Sequence, residues 1–565
     1  MHSNTSRRTF VKGLAAGGLL GGLGLWRTPV WAVTSPGEPQ VLAGTDFDLL
    51  IGETPVNITG NPRTAMTING GIPGPLLRWR EGDTVTLRVK NKLNADTSIH
   101  WHGILLPANM DGVPGLSFHG IEPGGMYVYQ FKVRQNGTYW YHSHSGLQEQ
   151  SGVYGPLVID AKEPEPFQYD RDYVVMLTDW TDEDAVDLMK TLKKQSDYYN
   201  YNKPTVGDFI HDVSEKGWGS TVADRKMWAE MKMNPTDLAD VSGATYTYLM
   251  NGQAPNSNWT GVFRPGEKLR LRFINGSAMT YFDVRIPGLK MTVVAADGLH
   301  VKPVIVDEFR IAVAETFDVI VEPTEAAYTL FAQSMDRTGF ARGTLAAKAG
   351  LSAPIPPLDP RPLVTMDDMG MGGMDHGSMA GMDHSAMAMP GMQSHPATEN
   401  NNPLVDMQAM TTAPKLDDPG LGLRNNGRRV LTYSDLRSTF EDPDGRDPSR
   451  TIELHLTGHM EKFAWSFNGV KFSDAEPVRL KYGERVRVVL VNDTMMTHPI
   501  HLHGMWSDLE DENGEFMVRK HTIDMPPGSR RSYRVTADAL GRWAYHCHLL
   551  YHMEMGMFRE VRVEE

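Results

Sequence analysis

Histidines recur at alternate positions in four short clusters: His100-Trp101-His102-Gly103, His142-Ser143-His144, His498-Pro499-Ile500-His501-Leu502-His503-Gly504, and His546-Cys547-His548 followed by His552 and Met557. Alternate residues on a strand project from one face, so each His-x-His pair can offer two imidazoles to neighbouring metal ions. One such pair alone is as easily packed or exposed as ligating; four pairs in one chain are not. Cys547, the only cysteine among 565 residues, sits between two of these histidines and points to the opposite face of the strand. With His498, His552 and Met557 it forms a two-His, one-Cys set with a weak thioether, the ligand set of a blue copper electron-transfer site.

The elements that must position these residues repeat along the chain. Asn69-Gly70, Asn251-Gly252 and Asn468-Gly469 each precede a Gly-acidic pair (Gly82-Asp83, Gly266-Glu267, Gly483-Glu484), an alternating run, and a closing asparagine (Asn91, Asn275, Asn492). In all three, nine positions separate the second glycine from that asparagine. A shared turn, a period-two strand and a shared spacing predict one β-unit used three times. Nine residues beyond the asparagine the first copy has His100 and the third His501, but the second has Val284. The second copy also lacks a His-x-His downstream, so it is expected to be structural. At the first-copy positions equivalent to Cys547, His498 and His552 stand Ser143, Thr97 and Gln148, so only the third copy can hold the cysteine-containing centre.

The fold expected is all-β: three antiparallel Greek-key sandwiches over about 45–165, 166–348 and 425–565. Residues 181–240 read as a partly helical insertion in the second, and 349–424, rich in Pro, Gly, Met and Asn, as a flexible linker without a packed core. A net charge of −14 gives no electrostatic footprint for nucleic acid, and one cysteine excludes a disulfide scaffold. Ser6-Arg7-Arg8-Thr9-Phe10 followed by a short Gly/Leu/Ala-rich stretch reads as a twin-arginine signal peptide over residues 1–32, which places the mature chain in the periplasm. No segment is long and apolar enough for a transmembrane helix.

Through its four histidine motifs the chain resembles the multicopper oxidases over its whole mature length. The resemblance implies cupredoxin domains and four coppers. His498, Cys547, His552 and axial Met557 match the type 1 ligands. His100 and His501 match those of type 2, and His102, His142, His144, His503, His546 and His548 those of the type 3 pair. It further implies that electrons enter at type 1 through His552, expected near the surface, and pass by Cys547 and its flanking histidines to a cluster where O2 is reduced to water. Asp111 matches by its distance from His-Trp-His-Gly an acidic residue that assists protonation in related enzymes; its other reading is a turn aspartate. Some relatives carry a glutamate directly after the histidine matching His552; Met553 stands here, and the adjacent Glu554 is the second proton-donor candidate.

Eleven of the 33 methionines lie within forty-five residues from Met366 to Met410. Met374-Asp375-His376-Gly377-Ser378-Met379 is nearly repeated as Met382-Asp383-His384-Ser385-Ala386-Met387. Thioethers select Cu(I) and imidazoles add affinity for Cu(II), so Met366, Met369, Met371, Met374, His376, Met379, Met382, His384, Met387, Met389 and Met392 are accessory copper ligands in this reading; an inert linker is the alternative. With the leader and Arg225-Lys226-Met227-Trp228, this repeat resembles the CopA-type bacterial copper-resistance proteins, which implies Cu(I) and O2 as substrates and periplasmic copper-handling proteins as partners; a monomer is expected. A phenol-oxidising laccase and a copper-sequestering protein are the other readings. Met505, Met553 and Met555, near the type 1 ligands in sequence, are candidates for a Cu(I) site or for packing. His119, His211, His300, His455, His459 and His521 lack partners at ligand spacing and read as structural or solvated.

Overall fold

The computed structural model describes residues 40–372 and 392–565. Among these, strands assemble into six sheets, two to a module: five and four strands in the first, six and five in the second, six and five in the third. The all-β expectation holds, and most of the helix lies in one stretch of the second module, in Ala185–Lys194, Val206–Lys216 and Trp218–Met231.

The repeated turn explains the repeated sequence. Both residues of Asn69-Gly70, Asn251-Gly252 and Asn468-Gly469 have positive φ, as a two-residue type I′ turn demands. Each turn asparagine accepts, through Oδ1, a 2.7 Å hydrogen bond from the module's first strand: from the backbone N of Leu50, Met176 and His455 respectively. The chain then passes through a strand of the facing sheet (Leu76–Arg80, Trp259–Val262 or Val478–Lys481) and returns along the first strand. The pairs so formed, Asp46–Val56 with Thr84–Asn91, Arg171–Trp180 with Leu269–Asn275, and Arg450–His459 with Arg485–Asn492, are parallel. The sheets are therefore mixed rather than purely antiparallel, because the crossover brings the returning strand back in the same direction.

The closing asparagines are buried clamps. Asn91 Nδ2 donates to the carbonyls of Ala95 and Ile121, Asn275 Nδ2 to those of Thr280 and Ile311, and Asn492 Nδ2 to those of Met496 and Met525. Each fixes the loop that enters the next strand, which is His100–His102 in the first module and His498–Leu502 in the third. In the second module that strand is Phe282–Arg285, and Val284 is packed in the core.

The stretch 349–424 was expected to lack a packed core. At both of its described ends it is packed: Val364, Met369, Met407, Ala409, Leu416 and Leu423 are all buried. Its apolar residues are spaced widely enough to escape a period-two or helical pattern, yet each finds a site on the folded modules.

Candidate metal centre

Two groups of nitrogen and sulfur donors meet in the protein. The first lies inside the third module. Strand His498–Leu502 pairs with strand Gly541–Cys547, setting Ile500 opposite Cys547. Cys547 Sγ lies 3.5 Å from His498 Nδ1 and 3.9 Å from His552 Nδ1, and the two Nδ1 atoms are 3.1 Å apart. The outer nitrogens are held elsewhere: His498 Nε2 by Thr494 Oγ1 at 2.8 Å and His552 Nε2 by Asp240 Oδ2 at 2.7 Å. Met557 is fully buried, and its carbonyl accepts the Cys547 backbone N–H at 3.1 Å. The counterpart in the first module is closed by hydrogen bonds instead, Gln148 Oε1 accepting from Thr97 Oγ1 at 2.6 Å and Ser143 Oγ at 2.9 Å.

The second group lies between the first and third modules, where eight histidines converge. His100 Nδ1 donates to the Asp111 carbonyl at 2.8 Å and His501 Nδ1 to the His521 carbonyl at 2.6 Å. Their Nε2 atoms are buried with no hydrogen-bond partner. His503 Nδ1 donates to Asp111 Oδ2 at 2.9 Å and His546 Nδ1 to the Cys547 carbonyl at 2.9 Å. With those protons so placed, the Nε2 atoms of His503 and His546 face each other at 3.1 Å as two lone pairs. His144 Nε2 is 3.3 Å from His546 Nε2, and His142 Nε2 is 3.3 Å from His548 Nε2. Burial, reinforced by neighbouring imidazoles, pushes His102, His142, His144, His501, His503 and His548 well below the usual imidazole range, and His546 down to about 3. Neutral imidazoles aimed at one another repel unless a cation lies between them, and orphaned Nε2 atoms require the same resolution. The donor set fits metal ions. Outer nitrogens fixed by carbonyl or carboxylate are the arrangement that ligating histidines adopt.

Two buried carboxylates border this second group. Asp111 touches His503 as above, and its Oδ1 lies 3.3 Å from His100 Nδ1. Gly112 makes that placement feasible: a Cβ there would lie 1.8 Å from the Ile99 carbonyl oxygen, so only glycine lets the loop press on the histidine strand. Glu149 Oε2 lies 2.7 Å from His142 Nδ1. Burial, and then the nearby Asp179, raises Glu149 well above the usual carboxylate range.

Family models described as Multicopper oxidase match residues 51–164, 171–349 and 445–565. The chain belongs to the multicopper oxidases. As a multicopper oxidase it is an oxidoreductase with copper as its cofactor. It is 80% identical to the Copper resistance protein A homolog of Pseudomonas syringae pv. tomato over 100% of both chains. It is 73% identical to the Copper resistance protein A of Escherichia coli over 99% of both. The laccase from Botrytis aclada shares the fold at 21% identity, with a TM-score of 0.63 over 93% of this chain and 88% of that one.

Several features of this multicopper oxidase were not evident in the sequence. His552, expected near the surface, is fully buried: Trp465 stacks on its ring at 3.9 Å between centroids, and Asp240 covers its outer nitrogen. Asp240 belongs to the middle module, which is thus more than a spacer. Glu554 is exposed at the end of helix Leu550–Glu554, whereas the carboxylate beside a cluster histidine is Glu149. His521 is buried against the cluster, its Nδ1 3.2 Å from His102 Nε2. The bend it occupies, between strands Phe516–Lys520 and Thr522–Met525, is braced by Asp297 of the middle module, which accepts from the backbone N of His521 and Thr522 at 3.1 Å each. His211 lies on the helix Val206–Lys216, and His459 ends the strand Arg450–His459. Of the accessory methionines, Met369 is buried in the core, Met366 and Met371 are half-buried, and Met392 is exposed. Met374, His376, Met379, Met382, His384, Met387 and Met389 lie outside the described residues, as do residues 1–32, expected from the sequence to be a signal peptide. Among the described residues no helix is long and apolar enough to cross a membrane.

Proposed function

We propose that this multicopper oxidase serves copper resistance in the periplasm, after export by the twin-arginine route, by oxidising Cu(I) with O2. One type 1 copper would be held by His498, Cys547, His552 and Met557, and one type 2 copper by His100 and His501. Two type 3 coppers would be held by His102, His142 and His548 and by His144, His503 and His546. When bound, copper supplies one-electron transfer at the first position and four-electron reduction of O2 to water at the other three.

The observation that carries the choice of donor is a thioether-lined approach to His552. A cavity bordered by Asp240, Met279, Met335, Asp336 and Met496 reaches the carboxylate bonded to His552 Nε2. Leu238, Met335 and Thr497 also line a larger neighbouring cleft, which Val364 and Asp368 border. Soft sulfur with carboxylate suits Cu(I), and the burial of His552 beneath Trp465 favours a small ion over a bulky phenol. These methionines differ from Met505, Met553 and Met555; Met553 packs instead against Val113, Ala544 and Phe558.

The protein's own groups complete the path. Cys547 is joined by backbone to His546 and His548, so the two metal groups are one residue apart. Asp111 orients His503 and His100, and the buried carboxyl of Glu149 stands beside His142 Nδ1. Trp140 is fully buried against the first-module histidines, its ring stacked on that of His142 at 4.3 Å between centroids, and excludes water there. The test is O2 uptake by copper-loaded protein with Cu(I) or 2,6-dimethoxyphenol as donor. Cu(I) should drive uptake; uptake with phenol alone would make the protein a laccase, and many bound coppers without turnover would make it a store. Cys547→Ser should abolish both the blue absorption and turnover with either donor.

A further inference from the structure

On the third module, two imidazoles and two carboxylates that the oxidase centre does not use meet just beyond the Met/His repeat. His395 Nδ1 lies 3.3 Å from Asp493 Oδ2 and 3.4 Å from Glu399 Oε2. His455 Nδ1 lies 2.6 Å from the same Asp493 oxygen and 3.7 Å from Glu399 Oε1. The side chains of Glu399 and Asp493 are wholly buried, His455 is 1% exposed and His395 14%. Both outer ring nitrogens are engaged: His395 Nε2 donates to the Ala409 carbonyl at 3.1 Å, and His455 Nε2 to Glu453 Oε1 at 3.2 Å, Glu453 being held in turn by Arg530. Both Nδ1 atoms therefore face the carboxylates. His395 Nδ1 and Glu399 Oε1 are buried with no hydrogen-bond partner.

We propose that His395, His455, Glu399 and Asp493 form a further metal site, separate from the oxidase coppers, that takes Cu(II). Ligand atoms around a tetragonal Cu(II) with bonds of about 2.0 Å stand about 2.8 Å apart when adjacent and about 4.0 Å when opposite, and three of the four separations, at 3.3, 3.4 and 3.7 Å, lie between those limits. The fourth, His455 to Asp493, is a hydrogen bond that an entering ion would open. Imidazole and carboxylate suit a borderline divalent ion, for which Cu(II) heads the affinity order, whereas thioethers select Cu(I). An outer carbonyl on one ring and an outer carboxylate on the other are the supports that ligating histidines carry. The site is thus matched to the oxidised ion, whereas the cleft leading to His552 is matched to the reduced one.

Binding balances in protons. Without an ion the carboxylates, acting against burial, raise His455 and hold His395 up at about 10. A divalent ion displaces the proton that His395 holds at neutral pH. The site does not depend on which donor feeds the oxidase.

The test compares copper-replete full-length protein with His395→Asn and Glu399→Gln, titrating Cu(II) by calorimetry in two buffers of different ionisation heat and following the bound ion by electron paramagnetic resonance. Cu(II) taken up by His376 and His384 of the repeat is common to all three and cancels. The parent should bind one equivalent more than either variant, release protons with it, and show a nitrogen-coupled Cu(II) signal missing from both. The blue absorption, unchanged in at least one variant, reports that the fold is intact. Equal uptake by the parent and the folded variants, or an extra ion bound without proton release, would overturn the site.

Discussion

His552 Nε2 stands 2.7 Å from Asp240 Oδ2, so the middle module, which has no His-x-His pair, holds the outer nitrogen of a histidine in the last. A carboxylate at that nitrogen stabilises the more positive, oxidised state of a metal on the other side of the ring. Asp240→Asn keeps the shape and removes the charge. The blue centre should then become more oxidising, and Cu(I) oxidation should fall by about 10- to 100-fold. Potentiometric titration of the blue band and O2 uptake measure the two effects; an unmoved potential with unchanged Cu(I) kinetics would remove Asp240 from the path.

Asp111 acts on the other metal group, through His503 and His100. Asp111→Asn should leave reduction of the blue centre by donor at the parent's rate and slow its reoxidation by O2, by roughly 10- to 100-fold if it behaves as other supporting residues do. Stopped-flow bleaching and recovery of the blue band separate the two steps. Slower bleaching with normal recovery would reverse the assignment.

The convergence of the histidines was legible because β-strands translate sequence alternation directly into geometry: His100 and His102, or His546 and His548, share a face wherever the strand lies. Cys547 was legible for the same reason, as the residue on the opposite face. Glu149, Asp240 and His521 were not, since each reaches its histidine by tertiary packing, and nothing in the local sequence of Asp240 points to a residue more than three hundred positions away. The turn and clamp asparagines were visible as a spacing, but their work became clear only from their hydrogen bonds. Widely spaced apolar residues such as Val364 and Leu423 carry no periodic signal, so a segment that packs as irregular coil read as a free linker.

Met335 and Met496 line the cavity that ends at Asp240, buried at 8% and 2% exposure. Leucine at either position is nearly isosteric and removes only the sulfur. The double variant Met335→Leu/Met496→Leu should raise the apparent KM for Cu(I) while leaving phenol oxidation and the blue band as in the parent. If both donors weaken together, the change has disturbed the type 1 surroundings rather than a Cu(I) approach.

Glu165 ties the end of the first module to the second. It accepts hydrogen bonds from Arg270 Nη1 at 2.6 Å and Tyr169 Oη at 2.9 Å, and His300 lies 3.6 Å away. Burial would raise its carboxyl, but His300 and Arg270 outweigh it and hold the group down at about 2 against an ordinary 4.5. A carboxylate depressed by folding contributes stability in full above its unfolded value and loses it as pH falls toward its folded value. A shift of this size corresponds to up to about 3 kcal/mol. Glu165→Gln should therefore melt below the parent at pH 7, and the gap should narrow as pH falls from about 4.5 and close near pH 2. Thermal melts of the two proteins across that range measure it. A gap that stays constant with pH would mean that Glu165 contributes by packing and not by its charge.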